Sequence, residues 1–282
     1  GSTDFGVAHP SGNRFRVSVF RQRGRFSAVA RLIPSQLLSF EQIGLPESCR
    51  ELLRRPRGLI LVTGPTGSGK TTTLATMIDW INHNLDRHIV TIEDPIEYYH
   101  SHGRGLVTQR EVGEDVPDFP EAMRRVLRQD PDVILLGEMR DLATISAAIT
   151  AAETGHLVLG TLHTTGSART VNRIIDAFPA NQQEQIRAQL SVSLVAVISQ
   201  VLLPKKGGGR IAAFEVMLMT PAIANLIRKN ETAKIQSTIQ TSRRMGMVTL
   251  DDYLLDLLRR DLITREVALD AAQDPKDLET RL

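Results

Sequence analysis

A glycine-rich segment in the first third of the chain carries residue types that bind phosphate. The segment is Gly64-Pro65-Thr66-Gly67-Ser68-Gly69-Lys70-Thr71, and it lies between an apolar run over residues 59–63 and a pattern with apolar residues on one helical face. A strand, a glycine loop and a helix are the context that a P-loop requires. Backbone N–H groups in such a loop, together with the start of the helix, face phosphate oxygens. The sequence therefore predicts a nucleoside-triphosphate site.

Several side chains of this segment have predicted roles. Lys70 is expected to reach the β- and γ-phosphates, and the Thr71 hydroxyl is expected to ligate Mg²⁺. The predicted binding set consists of Gly64, Pro65, Thr66, Gly67, Ser68, Gly69, Lys70, Thr71 and Thr72. A chance glycine-rich turn is the alternative, but all fixed positions of the motif are filled and both flanks fit.

Carboxylates follow two further predicted strands. Glu138 comes after the apolar run over 133–136, and Glu93 and Asp94 end the run over 88–92. In open α/β sheets the ligand lies at the carboxyl ends of the strands, so both sets of acids can converge on the phosphates. Such a carboxylate can orient or deprotonate an attacking water, or hold Mg²⁺ through its waters. The alternative is that these acids only cap the following turns.

Two features near these acids bear on metal binding. Gly137 stands where an aspartate that binds the metal is commonly found, so Mg²⁺ is expected to rest on Thr71, the phosphates and water. His156 and His163 stand at the two ends of an apolar run over 157–162. Their spacing supplies no third metal ligand, and a γ-phosphate sensor and a structural hydrogen-bonding role remain equally open.

The N-terminal residues up to 33 have the pattern of short β-strands. Phe15, Val17 and Val19 alternate with polar residues, and Gly24 marks a turn. About three strands without a partner sheet bury little surface. Residues 1–33 are therefore predicted to be the C-terminal part of a larger domain. The opening Gly1-Ser2 is typical of a tag-cleavage scar. Residues 34–46, with Pro, Ser and Gly at their ends, are predicted to be a linker.

Alternating strand and helix patterns from residue 47 to 219 predict a parallel α/β sheet covered on both sides. Helices are expected to begin after Asp118, Asp141, Thr220 and Thr249, which are good N-cap residues. The glycine triplet at 207–209 is expected to join two antiparallel strands over 201–203 and 211–216. Residues 220–282 are predicted to form a C-terminal helical region.

The composition excludes several classes of protein. The 282 residues carry 34 basic and 32 acidic side chains, for a net charge of +2, which is too even for a dedicated nucleic-acid or membrane binder. The lone cysteine, Cys49, excludes an intrachain disulfide framework and a CxxC zinc site. The most apolar stretch, 190–203, is too short to span a bilayer, and no signal peptide is evident. A cytoplasmic protein is therefore expected.

Four motifs in order make the chain resemble the secretion and pilus motor ATPases. They are the P-loop, the acidic box Thr91-Ile92-Glu93-Asp94-Pro95-Ile96-Glu97, the segment Gly137-Glu138-Met139-Arg140-Asp141 and a histidine box from Thr154 to Thr164. The resemblance covers nearly the whole chain. Within that superfamily the sequence is most similar to the type IV pilus retraction ATPases.

The resemblance implies a fold, an activity and partners. It implies a RecA-like ATPase domain at 47–219, C-terminal helices, and a β-rich remnant of a PAS-like domain at 1–33. It also implies a homohexamer that hydrolyses Mg-ATP at the cytoplasmic face of the inner membrane and acts on a pilus platform protein there, without binding nucleic acid.

The resemblance also implies roles for individual residues. Glu138 corresponds to the catalytic acid–base residue, Glu93 and Asp94 to the acidic box, and His156 and His163 to the histidine box. Arg16 and Arg31 are the best matches to N-terminal arginines that contact nucleotide. The family motif needed for retraction corresponds to residues 222–228, where Ala224 replaces the first arginine of the motif.

Other functions remain as alternatives. Extension ATPases carry a zinc motif of four cysteines, which a chain with one cysteine lacks, so retraction is favoured over pilus extension or type II secretion. A RecA-like nucleic-acid motor is disfavoured by the near-neutral charge and by an aromatic content of 4%. A regulator that binds ATP without turnover is disfavoured because Glu138 and Thr71 are both present.

Overall fold

The computed structural model describes residues 1–10, 14–33 and 37–282, without the side chains of Ala8 and Arg14. Its N-terminal part is a three-stranded antiparallel sheet of β1 (Ser2–Ala8), β2 (Arg14–Gln22) and β3 (Arg25–Ile33), in that order. Arg23 and Gly24 connect β2 to β3 with φ angles of 49° and 76°. Two successive positive φ angles suit a tight hairpin, because they match the twist of the flanking strands. The predicted N-terminal strands are confirmed.

The two faces of this small sheet differ in chemistry. One face carries Phe5, its cross-strand neighbour Val17, and Phe26, which is 74% exposed. On the other face, Arg16 of β2 lies directly opposite Arg31 of β3. Like charges at directly opposed positions repel each other, so an anion beside this pair would stabilise it.

A second, seven-stranded sheet forms the centre of the molecule. Its strands are β4 (Gly58–Thr63), β5 (His88–Glu93), β6 (Leu106–Glu111), β7 (Val133–Leu136), β8 (Leu157–Leu162), β9 (Leu194–Pro204) and β10 (Arg210–Leu218). The spatial order is β10-β9-β4-β8-β7-β5-β6, and every neighbouring pair is parallel except β9 with β10. The predicted parallel sheet and the predicted antiparallel pair are both confirmed.

Helices cover the central sheet and continue beyond it. They are α1 (Phe40–Ile43), α2 (Glu47–Leu52), α3 (Lys70–Asn84), α4 (Phe119–Val126), α5 (Leu142–Thr154), α6 (Ser167–Asp176), α7 (Gln183–Ser193), α8 (Pro221–Arg228), α9 (Ile235–Thr241), α10 (Leu250–Arg259), α11 (Arg265–Ala271) and α12 (Pro275–Thr280). The side chains of Asp118, Asp141, Thr220 and Thr249 each accept a backbone N–H bond at the start of a helix, as predicted. Short 3₁₀ turns lie at Thr232–Lys234 and Arg243–Met245.

The hydrophobic core lies on both faces of the central sheet. Along β4, Leu59 and Leu61 pack into one layer and Ile60 and Val62 into the other. A strand buried on both faces has no polar alternation, which is why these strands appear in the sequence as continuous apolar runs. A third cluster joins β9 and β10 to the C-terminal helices through residues such as Leu254.

The C-terminal part of the predicted linker is folded. Helix α1 buries Phe40 and Ile43, and the Phe40 ring packs edge-on against Trp80 of α3 with 6.4 Å between the ring centroids. Thr76 of α3 donates a hydrogen bond of 2.8 Å to the carbonyl of Leu38. The segment just before the ATPase sheet is therefore attached to the helix that follows the P-loop.

None of the helices within the described ranges has the length and apolar character needed to cross a membrane.

Candidate active site

The loop between β4 and α3 has the backbone shape of a phosphate-binding loop. Gly64, Gly67 and Gly69 have φ angles of 143°, 80° and 92°, a region that residues with a Cβ rarely adopt. A Cβ built on Gly64 would lie 2.2 Å from the carbonyl oxygen of Gln200. Helix α3 starts at Lys70, so its free N–H groups lie at the end of this loop.

The Lys70 side chain is held across the loop. Its Nζ donates to the carbonyl oxygens of Gly64 and Pro65, each at 3.0 Å, and the residue is 9% exposed. Burial lowers the pKa of Lys70, and the nearby negative charge of Glu138 partly opposes that shift. A phosphate group would replace the two carbonyls as a stronger, charged partner.

A buried glutamine on β9 supports the loop from below. Gln200 is 1% exposed, and its Nε2 donates to the carbonyl oxygen of Ser68 at 2.6 Å. Among the described residues, Gln200 Oε1 and the Ser68 hydroxyl are buried without a hydrogen-bond partner. Sequence reasoning did not identify this residue, although a glutamine inside the apolar run at 190–203 was the available signal.

Glu138 lies where β7 ends, two strands from the P-loop strand. Its Oε1 accepts hydrogen bonds from His163 Nε2, at 2.8 Å, and from the guanidinium of Arg140. Burial raises the pKa of Glu138, but the bonds from Arg140 and His163 outweigh burial and bring the pKa below its ordinary value. This carboxylate is therefore charged at neutral pH.

Glu93 ends β5, the strand beside β7. Its Oε1 accepts from Thr91 Oγ1 at 2.7 Å and from Gln109 Nε2 at 3.2 Å. Burial raises the pKa of Glu93 to about 7, more than these hydrogen bonds lower it. A carboxyl group with this pKa can take up and release a proton near neutral pH.

The strand register brings the two acids together. Ile92 pairs with Leu136, so Glu93 and Glu138 leave their strands side by side, and the backbone N–H of Gly137 donates to Ile92 O at 2.8 Å. A Cβ on Gly137 would lie only 3.3 Å from the Glu93 Cα, so glycine permits this close approach. A cavity of about 70 Å³ at this edge is lined by Thr71, Glu93, Asp94 and Glu138, among others.

The loop after His163 is anchored to a second buried acid. Glu215 of β10 is fully buried, and its Oε1 accepts from the Ser167 backbone N–H at 2.6 Å and from the Ser167 hydroxyl at 2.7 Å. Its Oε2 accepts from Gln273 Nε2 at 2.9 Å. The histidine loop is thereby tied to the segment between α11 and α12. Sequence reasoning did not identify Glu215.

Some predicted site residues lie away from this edge. His156 precedes β8 while His163 follows it, and His156 Nδ1 lies 3.1 Å from the carbonyl oxygen of Ala151. Six strand residues separate the two histidines by roughly 20 Å. Thr72 is close to the loop, but its hydroxyl bonds the hydroxyl of Tyr98 at 3.0 Å.

The predicted arginines belong to the N-terminal sheet. Within the described residues, no hydrogen bond or ion pair joins Arg16 or Arg31 to the central sheet.

The segment over 222–228 lies on α8. Ala224 is 8% exposed, and Arg228 donates to the Ser191 hydroxyl of α7 at 3.2 Å.

Comparison with known proteins agrees with this architecture. A family model for type II/IV secretion system proteins matches residues 9–208. The type IV pilus retraction ATPase PilT of Pseudomonas aeruginosa is 53% identical over 275 residues, which are 98% of this chain and 80% of that protein. A twitching motility protein of Neisseria gonorrhoeae is 50% identical over 98% of this chain and 74% of its own length.

A solved structure shares the whole fold. A crystal structure of the pilus retraction motor PilT with bound ADP has a TM-score of 0.93 and 51% identity to this chain, and the match covers 99% of this chain and 80% of that one. The P-loop, the two acidic strand ends and a sequence similarity that extends over nearly the full chain all agree. The chain belongs to the type II/IV secretion system protein family, among its type IV pilus retraction ATPases.

Proposed function

We propose that this protein is an ATP-hydrolysing motor that powers the retraction of type IV pili. The observation that carries the proposal is the convergence of the P-loop, Glu138 and Glu93 at one edge of the sheet, in a chain similar along nearly its whole length to a pilus retraction ATPase. The ADP bound in the similar PilT structure supports a nucleotide as the ligand of this edge.

Nucleotide binding is assigned to the loop and the start of α3. Backbone N–H groups over 64–72 surround the phosphates, and Lys70 exchanges its two carbonyl partners for phosphate oxygens. Thr71 is the proposed Mg²⁺ ligand, because it lines the same cavity as four carboxylate residues, and oxygen donors suit this ion. When bound, the ion neutralises charge on the phosphates.

The chemistry is assigned to the two strand-end acids. Glu138, kept charged by Arg140 and His163, orients and polarises the attacking water. Glu93, with a pKa of about 7, is the second carboxyl group that can accept the proton. Asp94 is exposed beside it and adds negative charge near Arg140. His163 acts by fixing the Glu138 carboxylate.

The remaining predicted residues suit an assembly of several copies. Arg16 and Arg31 form an opposed pair that an anion would stabilise, and we assign that anion to nucleotide at the boundary between the N-terminal and ATPase domains of a homohexamer. His156 lies at the opposite end of β8 from His163. We therefore propose that it does not contact the nucleotide bound to the P-loop of its own chain.

Mechanical work requires the parts of the chain to move relative to one another. We propose a PAS-like part at 1–33, a connecting segment at 34–46, a RecA-like ATPase domain at 47–219 and a helical region at 220–282. Hydrolysis changes the angle between the domains, and the ring acts on the pilus platform protein at the cytoplasmic face of the inner membrane. No nucleic acid takes part, consistent with the even charge of the chain.

A deletion in the natural host tests the function. Surface pili are labelled with a fluorescent dye and counted over time in the deletion strain and in strains that carry the wild type or Glu138→Gln. Excess pili that no longer shorten, restored by the wild type and not by Glu138→Gln, are the expected result.

Other outcomes would redirect the assignment. Cells without pili would indicate an extension motor. Unchanged pili with impaired protein export would indicate a type II secretion ATPase, and salt-sensitive binding of single strands with stimulated ATPase activity would indicate a nucleic-acid motor.

A further inference from the structure

Gln109 is a half-buried side chain on the edge strand of the central sheet that the assignments above do not use. It lies on β6, and its Cα is paired in register with that of Thr91 on β5. Side chains of paired residues emerge on the same face of a sheet, and Glu93, two residues after Thr91, shares that face. Gln109 therefore faces the proposed proton acceptor from one strand further out.

The Gln109 amide makes three hydrogen bonds. Its Nε2 donates to Glu93 Oε1 at 3.2 Å and to the carbonyl oxygen of Tyr98 at 2.8 Å, and its Oε1 accepts from the His100 backbone N–H at 2.8 Å. Thr91 Oγ1 donates to the same Glu93 oxygen at 2.7 Å. One carboxylate oxygen of Glu93 thus receives two donors, one from its own strand β5 and one from the neighbouring strand β6.

The chemistry of the partners decides which way the amide faces. The His100 N–H can only donate and the Tyr98 carbonyl can only accept, so the Gln109 oxygen must face the first and its NH₂ group the second. That orientation leaves one N–H for Glu93. The amide cannot flip without putting its oxygen against the Tyr98 carbonyl and the Glu93 carboxylate.

We propose that Gln109 is a positioning residue for catalysis: it fixes the Glu93 carboxylate beside the attacking water and joins it to the segment over 94–100. The inference rests on the proposed ATPase function. The segment also contacts the first turn of α3, because the Tyr98 hydroxyl bonds the Thr72 hydroxyl at 3.0 Å. Gln109 thus connects the acid and the phosphate-binding helix without lining the cavity between them.

The hydrogen bond from Gln109 to Glu93 affects proton transfer because Glu93 lies among other titratable groups. The titratable groups around Glu93 are Asp94, Glu97, Tyr98 and His100 after β5, Glu138 after β7, and Glu111, which is paired with Glu93 on β6. Lys70 at the start of α3 lies near Glu138. Glu97 disfavours the charged form of Glu93, whereas Thr91 and Gln109 favour it. Loss of the Gln109 donor therefore raises the pKa of Glu93 further.

The test compares pH profiles of ATP hydrolysis by the purified full chain. The variants are Gln109→Met, which removes the amide, and Gln109→Glu, which keeps its size and replaces the donor by a second carboxyl group. Glu93→Gln identifies the limb of the profile that depends on Glu93. Gln189→Met is the matched control, because Gln189 Nε2 also donates to a carboxylate, that of Glu153 at 2.9 Å, on the outer helices α7 and α5.

We expect Gln109→Met to lower kcat about tenfold at pH 7 and to move the acidic limb upward by on the order of one pH unit, with KM changed less than about threefold. Gln109→Glu should move the limb further, because two adjacent carboxyl groups disfavour ionisation of both. If Gln109→Met does not fold, Gln109→Glu decides the question alone.

An acidic limb at the wild-type position, with kcat reduced equally at every pH or not at all, would overturn the positioning role and leave the motor assignment intact. A wild-type chain without ATPase activity would instead overturn the motor assignment, and the positioning role with it. An equal shift in Gln189→Met would attribute the effect to a general loss of stability and so overturn the proposal.

Discussion

The P-loop and the acidic strand ends meet at one edge of the sheet but are built in different ways. The P-loop takes its shape from the main chain: glycines at positive φ, the start of α3, and one buried glutamine beneath the loop. The acids take their positions from side-chain hydrogen bonds, each from one residue nearby in the chain and one residue on another part of the sheet. Arg140 and His163 hold Glu138, whereas Thr91 and Gln109 hold Glu93.

The difference separates binding from turnover. A loop defined by backbone N–H groups binds phosphate whichever residues act in catalysis, because its donors remain when side chains change. A carboxylate held by side chains keeps its position and pKa only while each partner is present. Damage to the loop should therefore appear in nucleotide affinity, and damage to the acids in turnover and pH dependence.

The largest expected effect is the loss of turnover when one of the two strand-end acids is changed. Glu138→Gln keeps the size of the side chain and removes the charge, so turnover should fall about 10²- to 10⁴-fold while ATP affinity changes less than about threefold. Steady-state ATPase assays and binding of a fluorescent nucleotide measure the two quantities. Turnover at the wild-type rate would remove Glu138 from the mechanism.

On the loop side, Lys70→Ala should give the reverse pattern. The substitution removes a buried cation that donates to two loop carbonyls and that we propose exchanges them for phosphate oxygens, so ATP affinity should fall roughly 100-fold. Titration calorimetry with ATP measures the loss, and Lys276→Ala on the exposed helix α12 is the control. Tight binding by Lys70→Ala would contradict the assigned geometry of the loop.

A smaller effect on affinity is expected beneath the loop. Gln200→Met removes the bond to Ser68 O without changing the side-chain length, and it should weaken ATP binding about tenfold with little change in kcat at saturation. The exposed Gln182→Met provides a matched substitution for comparison. If kcat fell and affinity did not, the division between a binding loop and catalytic acids would be wrong.

The smallest expected effect is a change in thermal stability that depends on pH. The pKa of Glu93 is about 7 in the folded chain and near 4.5 in an unfolded one, so its contribution to stability is present below pH 4.5 and is lost as pH rises through 7. Without nucleotide, Glu93→Gln should raise Tm by roughly 2–4 °C at pH 8 and not at pH 4.

Thermal unfolding at the two pH values measures this difference, with Glu184→Gln on the exposed side of α7 as the control. The pKa of Glu138 is shifted in the opposite direction, so the stabilising contribution of that residue is lost as pH falls. A gain in Tm for Glu93→Gln that is equal at both pH values would show that burial does not control the ionisation of Glu93.

Local patterns predicted much of the fold and the nucleotide loop. The capping residues indicated helix starts such as that after Asp141, and the continuous apolar run at 133–136 indicated a strand buried on both faces. The folded helix at Phe40–Ile43 was not predicted, because two apolar residues spaced by three are too short a pattern until Trp80 is known to lie beside them.

The histidines show where spacing alone misleads. His156 and His163 are close in the sequence, but a strand between them separates them along the sheet, and only His163 reaches the edge where Glu138 lies. Gln109, Gln200 and Glu215 carried no motif. Each acquires its role only when strand pairing brings it beside Glu93, Ser68 or Ser167.

By itself, the sequence determined the phosphate loop, since glycine conformations, a lysine and a helix start are local properties of a short continuous segment. It also determined which strand ends carry acids. Only the tertiary structure decided how those acids are held and charged, because Gln109 on β6 and His163 after β8 reach them only once the sheet is formed, and because burial, which sets the pKa of Glu93, depends on all the layers packed around it.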